Sequence, residues 1–499
     1  MPAPSTTNLA IFLGVHLAHD KAVTVAVDEN GQELFHTSSP YNFQPSSVIL
    51  PKNYVEQDPE VWWDAVRYAL GHTTTQLRSA GVTPSQIRGI SVCGTPGTLV
   101  ILDRAGKIIN PAIMADDSRA VEQITKLNLV GQDHCRKMGY QFRSDDTLAK
   151  IAWIKDNLPD LYEIAVFAHQ TDFILGRLKG IPDATEFSIA SKTGCDLIDE
   201  NWPDWLDYDM HLGLRDRLPR LTHLGEVVGQ LCSTAASATG LPKGVPVVMG
   251  TTPEIAAFFA SGAKKLGDFH FNLDDHISIC GITKKLIAYP HHLVQMSKLP
   301  GHAWFFATEC CTGADWIKNW FKDTPLEETK ASAEKLLPTE YLAYPNTKKG
   351  ETFPFSSNSA EGFISPATDN RMVQFASCLQ GTGFFERMCY EKIDKLADIY
   401  HSTGEIYTGG PWSSHDAWMQ CRADITGRVN HRSSMKNASA YGTALIAAIG
   451  AHFQKFEAAV EAMVHVDFSF FPNPDRIPIY SEKYAQFLSI MEGQGYVEL

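Results

Sequence analysis

Apolar and polar residues follow one another in short runs that are typical of β-strands over the first hundred residues. The runs LAIFLGVHL and KAVTVAVDENGQELFHTS predict a meander of strands with a turn at Asn30-Gly31. A helical period begins near Asp58-Pro59, which suit the first turn of a helix, and a glycine marks the predicted end of the helix. Two more strands, IRGISVCG and TLVILD, come next. This mixture of elements predicts an α/β fold.

The same arrangement returns near the middle of the chain. A buried strand at 244–250 and an apolar helix precede a second strand, polar loop and strand at 267–285. Each half of the chain therefore opens on a strand, a short polar loop and another strand. We expect two similar α/β domains, residues 1–247 and 248–499, whose polar loops face a shared cleft.

Composition is that of an ordinary globular protein. The 499 residues exceed the usual size of one core, and 44% of them are hydrophobic and 20% charged. A formal net charge of −14 without a long basic run argues against nucleic acid and anionic membranes as partners. Because the sequence lacks both a run of 18 apolar residues and a basic signal-peptide start, we expect a cytoplasmic protein. Ten cysteines without framework spacing predict reduced thiols, in keeping with that compartment.

The polar loops between paired strands are unusual in composition. Such loops often cradle phosphate, and they are built of glycine, serine and threonine because backbone N–H groups must approach the anion closely. Both loops here instead carry imidazole and carboxylate side chains: His16, His19 and Asp20 in the first, and Asp274, Asp275 and His276 in the second. The first loop therefore does not look fit for phosphate.

Ordered motifs across nearly the whole chain resemble those of the FGGY carbohydrate kinases, especially the xylulokinase branch. VEQDPEVWW at 55–63 resembles the family signature, and PAIMADDSRA at 111–120 resembles a sugar-site segment. The second half adds YTGGPWSSHDAWMQCRADITGRVNHR and SAYGTALIAAIG. The resemblance implies two actin-like (ribonuclease-H-like) α/β domains flanking a central cleft, in which a sugar or polyol and MgATP would bind.

The resemblance implies sugar contacts from two segments of the first half. Asp117 matches an aspartate of the family and Arg119 follows it, and a carboxylate and a guanidinium suit hydroxyl groups as acceptor and donor. Thr95 and Gly97 lie where the family has further sugar contacts. Because the residue types there differ from the family pattern, the identity of the ligand, a pentulose, a hexulose or a polyol, stays open.

The nucleotide motifs depart from the family pattern. The resemblance places Pro253 where the family has its catalytic aspartate, so the catalytic candidates are the neighbouring Glu254 and Asp117. The glycine-rich adenosine segment keeps part of its pattern, with candidate contacts at Gly409, Gly410, Trp412 and Ser413. MgATP is the cofactor that the resemblance implies, but these replacements predict weak or no binding.

In the resembled fold the two polar loops point at one place. His16, Asp20, Asp274 and His276 would then share a divalent ion such as Zn²⁺, Mn²⁺ or Fe²⁺. His19, Asp275 and Glu254 would be reserve ligands or lie in the second shell. The alternative is that the two loops no longer bind ATP and have drifted, so that their polar residues have no common function.

Three functions are compatible with these observations. The first is a carbohydrate kinase-like protein that binds a sugar or polyol, with ATP-dependent phosphorylation as the family default. The second is a metal-dependent isomerase, epimerase or hydrolase acting on a sugar or sugar phosphate. The third is a catalytically inactive relative that acts as a sensor or binding protein. The chemistry of the phosphate loops distinguishes the kinase-like function from the other two. Bound metal distinguishes the metal-dependent enzyme from the inactive binding protein. Whether the chain forms a homodimer stays open.

Overall fold

The computed structural model of the chain describes residues 9–41, 49–287, 294–323, 325–399, 404–433 and 435–497. The chain divides into two compact units. The first unit comprises Met1–Ala260, Ser297–His302 and Lys436–Val464, and the second comprises Ser261–Met296, Ala303–Met435 and His465–Leu499. Within the described ranges, no helix is both long and apolar enough to span a membrane.

The strands are numbered in chain order. The first twelve are β1 (Ile11–Leu17), β2 (Lys21–Asp28), β3 (Glu33–Pro40), β4 (Glu56–Gln57), β5 (Ile87–Gly94), β6 (Leu99–Leu102), β7 (Ile108–Ile113), β8 (Val166–His169), β9 (Ala184–Glu186), β10 (Arg220–Thr222), β11 (Val227–Gln230) and β12 (Pro246–Val248). The others are β13 (Phe269–Leu273), β14 (Ile277–Thr283), β15 (Val294–Lys298), β16 (Trp304–Glu309), β17 (Leu342–Tyr344), β18 (Phe363–Ser365), β19 (Ile406–Gly409), β20 (Asn430–Arg432) and β21 (Phe468–Phe470).

The α-helices are numbered in the same way. Those of the first half are α1 (Pro59–Ser79), α2 (Val121–Val130), α3 (Gln132–Met138), α4 (Thr147–Asn157), α5 (Pro159–Ile164), α6 (Gln170–Lys179), α7 (Phe187–Ala190), α8 (Trp205–Tyr208), α9 (Ser233–Thr239) and α10 (Pro253–Ala260). The remainder are α11 (Trp316–Trp320), α12 (Leu326–Glu334), α13 (Arg371–Ala397), α14 (Asp416–Thr426), α15 (Ala438–Ala448), α16 (Phe456–Met463) and α17 (Ile477–Gly493). Short 3₁₀ turns lie at Pro84–Gln86, Ser191–Thr193, Pro300–His302 and Pro411–Ser414, and a π turn at Ile449–Phe453.

The first unit is built on a mixed six-stranded sheet in the order β11-β12-β5-β1-β2-β3. β1 and β2 form an antiparallel hairpin, and β1 pairs in parallel with β5. A four-stranded sheet, β4-β7-β6-β8, and a pair, β10-β9, complete this unit. The α/β class predicted from the sequence is confirmed.

Helix α1 begins where the sequence predicts. Asp58 Oδ1 accepts a hydrogen bond from the Glu60 backbone N–H at 3.0 Å, and Pro59 occupies the first turn. Its buried residues recur at helical spacing and include Trp62, Ala65, Val66, Ala69 and Leu70. The helix ends at Ser79, just before Gly81 with φ +83°. The capping aspartate and the glycine stop were therefore both readable from the sequence.

Helix α15 packs closely on the first sheet, as its small residues predict. A Cβ atom at Gly14 of β1 would lie 2.0 Å from Ala440 O and 2.4 Å from Ala444 N, so only glycine fits there. Helices α10 and α15 both belong to the first unit. The unit consequently continues to Ala260 and takes in a segment from the C-terminal half, while the predicted domain boundary after residue 247 stays a prediction.

The second unit repeats the opening of the first. β13 and β14 form an antiparallel hairpin, and β13 pairs in parallel with β19, as β1 does with β5. The seven-stranded sheet runs β15-β16-β14-β13-β19-β20-β21. Its core gathers around the long, largely buried helix α13. The predicted strand, polar loop and strand at the start of each half are confirmed.

Candidate functional site

A tight turn joins β5 to β6 at Thr95-Pro96-Gly97-Thr98. Gly97 has φ +89°, and proline followed by such a glycine suits the two central positions of a type II turn. Thr95 is exposed, whereas Gly97 is buried and its carbonyl oxygen accepts a hydrogen bond from Lys150 Nζ at 2.7 Å. The predicted sugar contacts at Thr95 and Gly97 therefore lie on a turn with a fixed backbone.

Asp117 and Arg119 form a buried ion pair. Asp117 is 0% exposed, and its Oδ2 accepts hydrogen bonds from Val55 N at 2.6 Å and Arg119 Nη2 at 2.7 Å. Its Oδ1 accepts from the backbone N and the Nε of Arg119, both at 3.0 Å. Both carboxylate oxygens are therefore taken by donors of the chain itself. This geometry is that of a structural ion pair, and it does not support the predicted catalytic role of Asp117.

Arg119 is held by more than Asp117. Its Nη2 also lies 2.8 Å from Glu56 Oε1, and its guanidinium lies over the rings of Tyr54 and Trp153, 3.9 and 5.0 Å from their centroids. Hydrogen bonds to these two carboxylates raise the pKa of Arg119 although its burial opposes the shift. No residue that the structure describes accepts a hydrogen bond from Nη1. This nitrogen is therefore the one guanidinium nitrogen with no acceptor among the described residues, in a side chain that is only 3% exposed.

The first polar loop is a tight hairpin turn between β1 and β2. Ala18 N donates to Lys21 O at 2.9 Å, and Tyr41 N donates to Asp20 O at 2.8 Å. His16, at the end of β1, is partly buried, and burial, followed by the charge of Lys21, lowers its pKa to about 4. The His16 imidazole is therefore neutral near pH 7, while the side chains of His19 and Asp20 are exposed.

The second polar loop is docked on a neighbouring segment of its own unit. His276 Nδ1 lies 3.0 Å from Cys311 O, and its Nε2 lies 3.1 Å from Lys348 Nζ. Because a carbonyl oxygen only accepts, Nδ1 carries the proton and Nε2 accepts from the lysine. Asp275 pairs with Lys318. Asp274 Oδ1 accepts from the Asp275 backbone N–H at 2.8 Å, so both ring nitrogens of His276 and both carboxylates already have partners in the chain.

The predicted metal site gains no support from these contacts. Among the residues that the structure describes, no group of three or more His, Cys, Asp or Glu side chains is arranged to hold a metal ion. His16 and Asp20 belong to the first unit, whereas Asp274 and His276 belong to the second. A metal at His276 Nε2 would have to displace Lys348. The four-residue site stays a prediction, with no metal identity favoured.

The position of the expected catalytic aspartate opens a helix. Pro253 is the first residue of α10, and Glu254, in the first turn, is exposed. A carboxylate there is favoured by the helix dipole, which explains Glu254 without a catalytic role.

A buried carboxyl group lies next to the segment that precedes α10. Thr251, two residues before Pro253, donates a hydrogen bond from its Oγ1 to Glu186 Oε2 at 3.0 Å. Burial raises the pKa of Glu186 to about 7, and this buried carboxyl group was missed in the sequence.

The two glycines of the adenosine segment are explained by packing. Gly409 ends β19, and Gly410 has φ +93°, a conformation that side chains disfavour. A Cβ atom at Gly410 would also lie 2.5 Å from the carbonyl oxygen of Leu273, at the end of β13. The pair therefore allows one strand to end against its neighbour, and a nucleotide contact at either glycine stays a prediction.

Trp412 and Ser413 also have partners within the second unit. Trp412 is partly buried and packs against the core, with Lys330 Nζ 5.4 Å from its ring centroid. Ser413 Oγ donates to Gly410 O at 2.8 Å, and Arg432 Nε donates to Ser413 O at 2.8 Å. Neither side chain stands free for a nucleotide in this arrangement.

Lys150 is the second group that the sequence reasoning missed. It is 0% exposed, and its Nζ donates to the carbonyl oxygens of Gly97, Met114 and Asp145 at 2.7, 2.6 and 2.9 Å. Burial lowers its pKa to about 8. The available signal was a single lysine that interrupts the apolar run LAKIAWI of helix α4.

Comparison with known proteins places the chain in a family. Two sequence models of the FGGY family of carbohydrate kinases match the chain, the N-terminal domain over residues 13–260 and the C-terminal domain over residues 290–451. The chain is 24% identical to a xylulose kinase of Bacillus subtilis over an alignment of 507 positions, gaps included, that covers 96% of each protein. It is 27% identical to a glycerol kinase of Thermococcus gammatolerans over 444 residues, covering 85% of this chain and 86% of the relative.

Solved structures show the same fold. A xylulose kinase from Rhodospirillum rubrum matches with a TM-score of 0.79 at 20% identity, covering 97% of this chain and 98% of that one. The Plasmodium falciparum glycerol kinase with ADP matches with a TM-score of 0.80 at 16% identity, covering 98% and 99%. The actin-like, two-domain α/β fold that the sequence motifs imply is therefore confirmed.

Proposed function

The chain belongs to the FGGY family of carbohydrate kinases and is xylulokinase-like, and we propose that it binds a sugar or polyol but transfers phosphate from ATP slowly or not at all. The ligand would be of the pentulose, hexulose or polyol type. Two features support the binding half of the proposal and three support the loss of phosphotransfer.

A preorganised set of hydroxyl partners supports sugar binding. The turn at Thr95 and Gly97 is fixed by its own backbone geometry and by Lys150. Arg119 is held by ion pairs and aromatic rings, yet its Nη1 has no acceptor within the described residues. Donors that are fixed before the ligand arrives lower the entropic cost of binding. Asp117 would serve by holding Arg119 in place rather than as a sugar ligand or catalytic base.

The contacts of the second polar loop carry the proposal that phosphotransfer is weak. Where the family resemblance places phosphate contacts, His276 binds Cys311 O and Lys348, and Asp275 binds Lys318. Phosphate cradles use free backbone N–H groups, whereas Asp274 and Asp275 present negative charge. The Asp274 carboxylate disfavours a phosphate at this place, whereas the charge of Asp275 is offset by Lys318.

The other two nucleotide motifs support the same conclusion. Pro253 has no side chain that accepts a proton, so the base that the family places there is lacking. Gly410 and Ser413 are engaged in local packing and hydrogen bonds. The residues present therefore do not fit MgATP well. A metal-dependent reaction on a sugar has no supporting cluster among the described side chains.

Calorimetry with the full chain tests the proposal. Pentuloses, hexuloses, polyols and sugar acids are titrated first, and MgATP is then titrated with and without the ligand that binds. We expect one sugar or polyol to bind and raise the melting temperature, and MgATP to show no micromolar affinity. Release of ADP, followed by a coupled assay, should stay far below the about 1–100 s⁻¹ that is typical of kinases.

A designed variant sharpens this test. Pro253→Asp restores a carboxylate where the family has its base, and Glu254→Gln serves as a control at the neighbouring position. If only the base were lacking, Pro253→Asp would gain ADP release, whereas defective phosphate loops leave both variants silent. Micromolar MgATP affinity together with rapid turnover in the unaltered chain would refute the proposal and restore the ordinary kinase function.

A further inference from the structure

We propose that Lys150 is a positioning residue, which holds three loops of the first unit in the arrangement that receives the sugar or polyol. This inference rests on the proposed function. Lys150 does not touch the ligand in this proposal. It acts through the backbone of the segments that carry the residues predicted to contact the ligand.

The hydrogen bonds of Lys150 form a complete set. Its Nζ donates to Gly97 O at 2.7 Å, to Met114 O at 2.6 Å and to Asp145 O at 2.9 Å. An ammonium group has three N–H donors, so these three short contacts use all of them, and Ala115 O, next to Met114, lies at 3.5 Å as a weaker fourth acceptor. The carbonyls belong to the turn after β5, the segment after β7 and the segment before α4. One side chain therefore joins three separate segments of the chain.

These segments lead directly to the candidate ligand contacts. The Met114 carbonyl accepts from the Asp117 backbone N–H at 3.1 Å as well as from Lys150. Asp117 in turn holds Arg119. A shift of the Met114 carbonyl would therefore carry Asp117 and the Arg119 guanidinium with it. A shift of Gly97 would move the exposed Thr95 of the same turn.

A packing role alone does not account for a lysine at this position. Lys150 is 0% exposed, and burial lowers its pKa to about 8, which means that its charge is costly there. The charged groups facing it are Asp117, Asp145 and Asp146, which favour the ammonium, and Lys192, which opposes it. A methionine would fill the same space without this cost but would leave the carbonyl groups of Gly97 and Asp145 without this donor and Met114 O with only the Asp117 N–H.

Hydrogen exchange of the full chain tests the role of the three hydrogen bonds. Lys150→Met is compared with Lys155→Met, which lies on the same helix and loses one bond, to His211 O, at an exposed position. We expect exchange to rise in Lys150→Met by at least about tenfold, the factor that one lost hydrogen bond to a charged group implies. The rise should be confined to three segments, residues 95–98, 114–119 and 143–147. Lys155→Met should leave them unchanged.

Ligand affinity provides the second readout, with D-xylulose and xylitol as the probes. Lys150→Met should weaken binding of the probe by about tenfold or more, and Lys155→Met should not. In the unaltered chain the affinity should fall between pH 7 and pH 9, because a neutral amine has two N–H donors for three carbonyls. Lys150→Arg keeps its charge throughout this range and should bind with little dependence on pH.

The outcomes separate this inference from the proposed function. Unchanged exchange in the three segments of Lys150→Met, or a uniform rise over the whole first unit, would overturn the positioning role. If Lys150→Met does not fold, Lys150→Gln takes its place, and unchanged exchange in the three segments of that variant overturns the positioning role. If no probe or other sugar binds the unaltered chain, the proposed function fails, while the exchange measurement still decides whether Lys150 joins the loops.

Discussion

Arg119 donates hydrogen bonds to both carboxylate oxygens of Asp117, from Nε and Nη2 at 2.7–3.0 Å, and Asp117 is 0% exposed. This relationship changes what the aspartate is expected to do. A sugar ligand needs open lone pairs, whereas those of Asp117 are used by Arg119 and by the backbone of Val55. Its first role is to hold the guanidinium in place, and a sugar contact from Arg119 stays a prediction.

Asp117→Ala should therefore destabilise the protein without any ligand. Removing one partner of a buried ion pair costs about 3–5 kcal/mol of unfolding free energy, because the other charge stays buried. Urea unfolding measures this loss. The matched control is Asp64→Ala, which breaks an exposed pair with Arg67 and should cost within about 0.5 kcal/mol. An Asp117→Ala protein that keeps its stability but no longer binds the sugar would instead make Asp117 a direct contact.

Metal removal tests the predicted ion between the loops. Since His276 Nε2 already accepts from Lys348, and no group of three ligands is found in the described residues, EDTA should leave the melting temperature unchanged. Added Zn²⁺ or Mn²⁺ should also have no effect at stoichiometric concentration. Differential scanning fluorimetry with elemental analysis checks both points. A fall on adding EDTA that disappears in Asp274→Ala would revive the metal hypothesis.

The buried carboxyl group of Glu186 should make stability depend on pH. Burial raises its folded pKa from 4.5 to about 7, against the opposing hydrogen bonds from Ser188 and Thr251. A raised folded pKa stabilises the protein fully below pH 4.5, and this contribution is lost as the pH rises through 7. The loss is on the order of 3 kcal/mol for a shift of this size.

Urea unfolding at pH 5, 6 and 7 measures that slope. Glu186→Gln stays neutral throughout, so it should lose less stability than the unaltered chain over this range. The exposed Glu122→Gln should keep the slope of the unaltered chain. Equal slopes for all three proteins would show that Glu186 does not titrate in this range.

Gly410→Ala tests whether the glycine pair serves packing. The substitution forces a side chain into a backbone with φ +93° and places its Cβ 2.5 Å from Leu273 O, which should cost about 1–3 kcal/mol. Gly427→Ala is the control, because Gly427 has φ +69° but nothing within 4 Å of the added atom. We expect Gly410→Ala to have the lower urea midpoint. Equal midpoints would mean that the contact with Leu273 relaxes without cost.

Local chemistry along the sequence determined much of the fold. The hairpin at the start of each half, the start of α1 at Asp58-Pro59 and the close-packing helix α15 could all be predicted. Each depends on neighbouring residues: alternation of apolar side chains, a capping carboxylate, or a run of small residues. Ordered motifs likewise sufficed to recognise the FGGY family. These features need no knowledge of which distant residues meet.

Tertiary structure alone decided which polar groups are already occupied. Asp117 looked like a sugar ligand in its motif, and His276 looked like a metal ligand, yet the partners that engage them include Val55 and Lys348, far away along the chain. The same reason hid Lys150, whose three acceptors come from separate segments. A sequence shows which side chains can donate or accept, but only folding brings together the groups that satisfy them and leaves others available to a ligand.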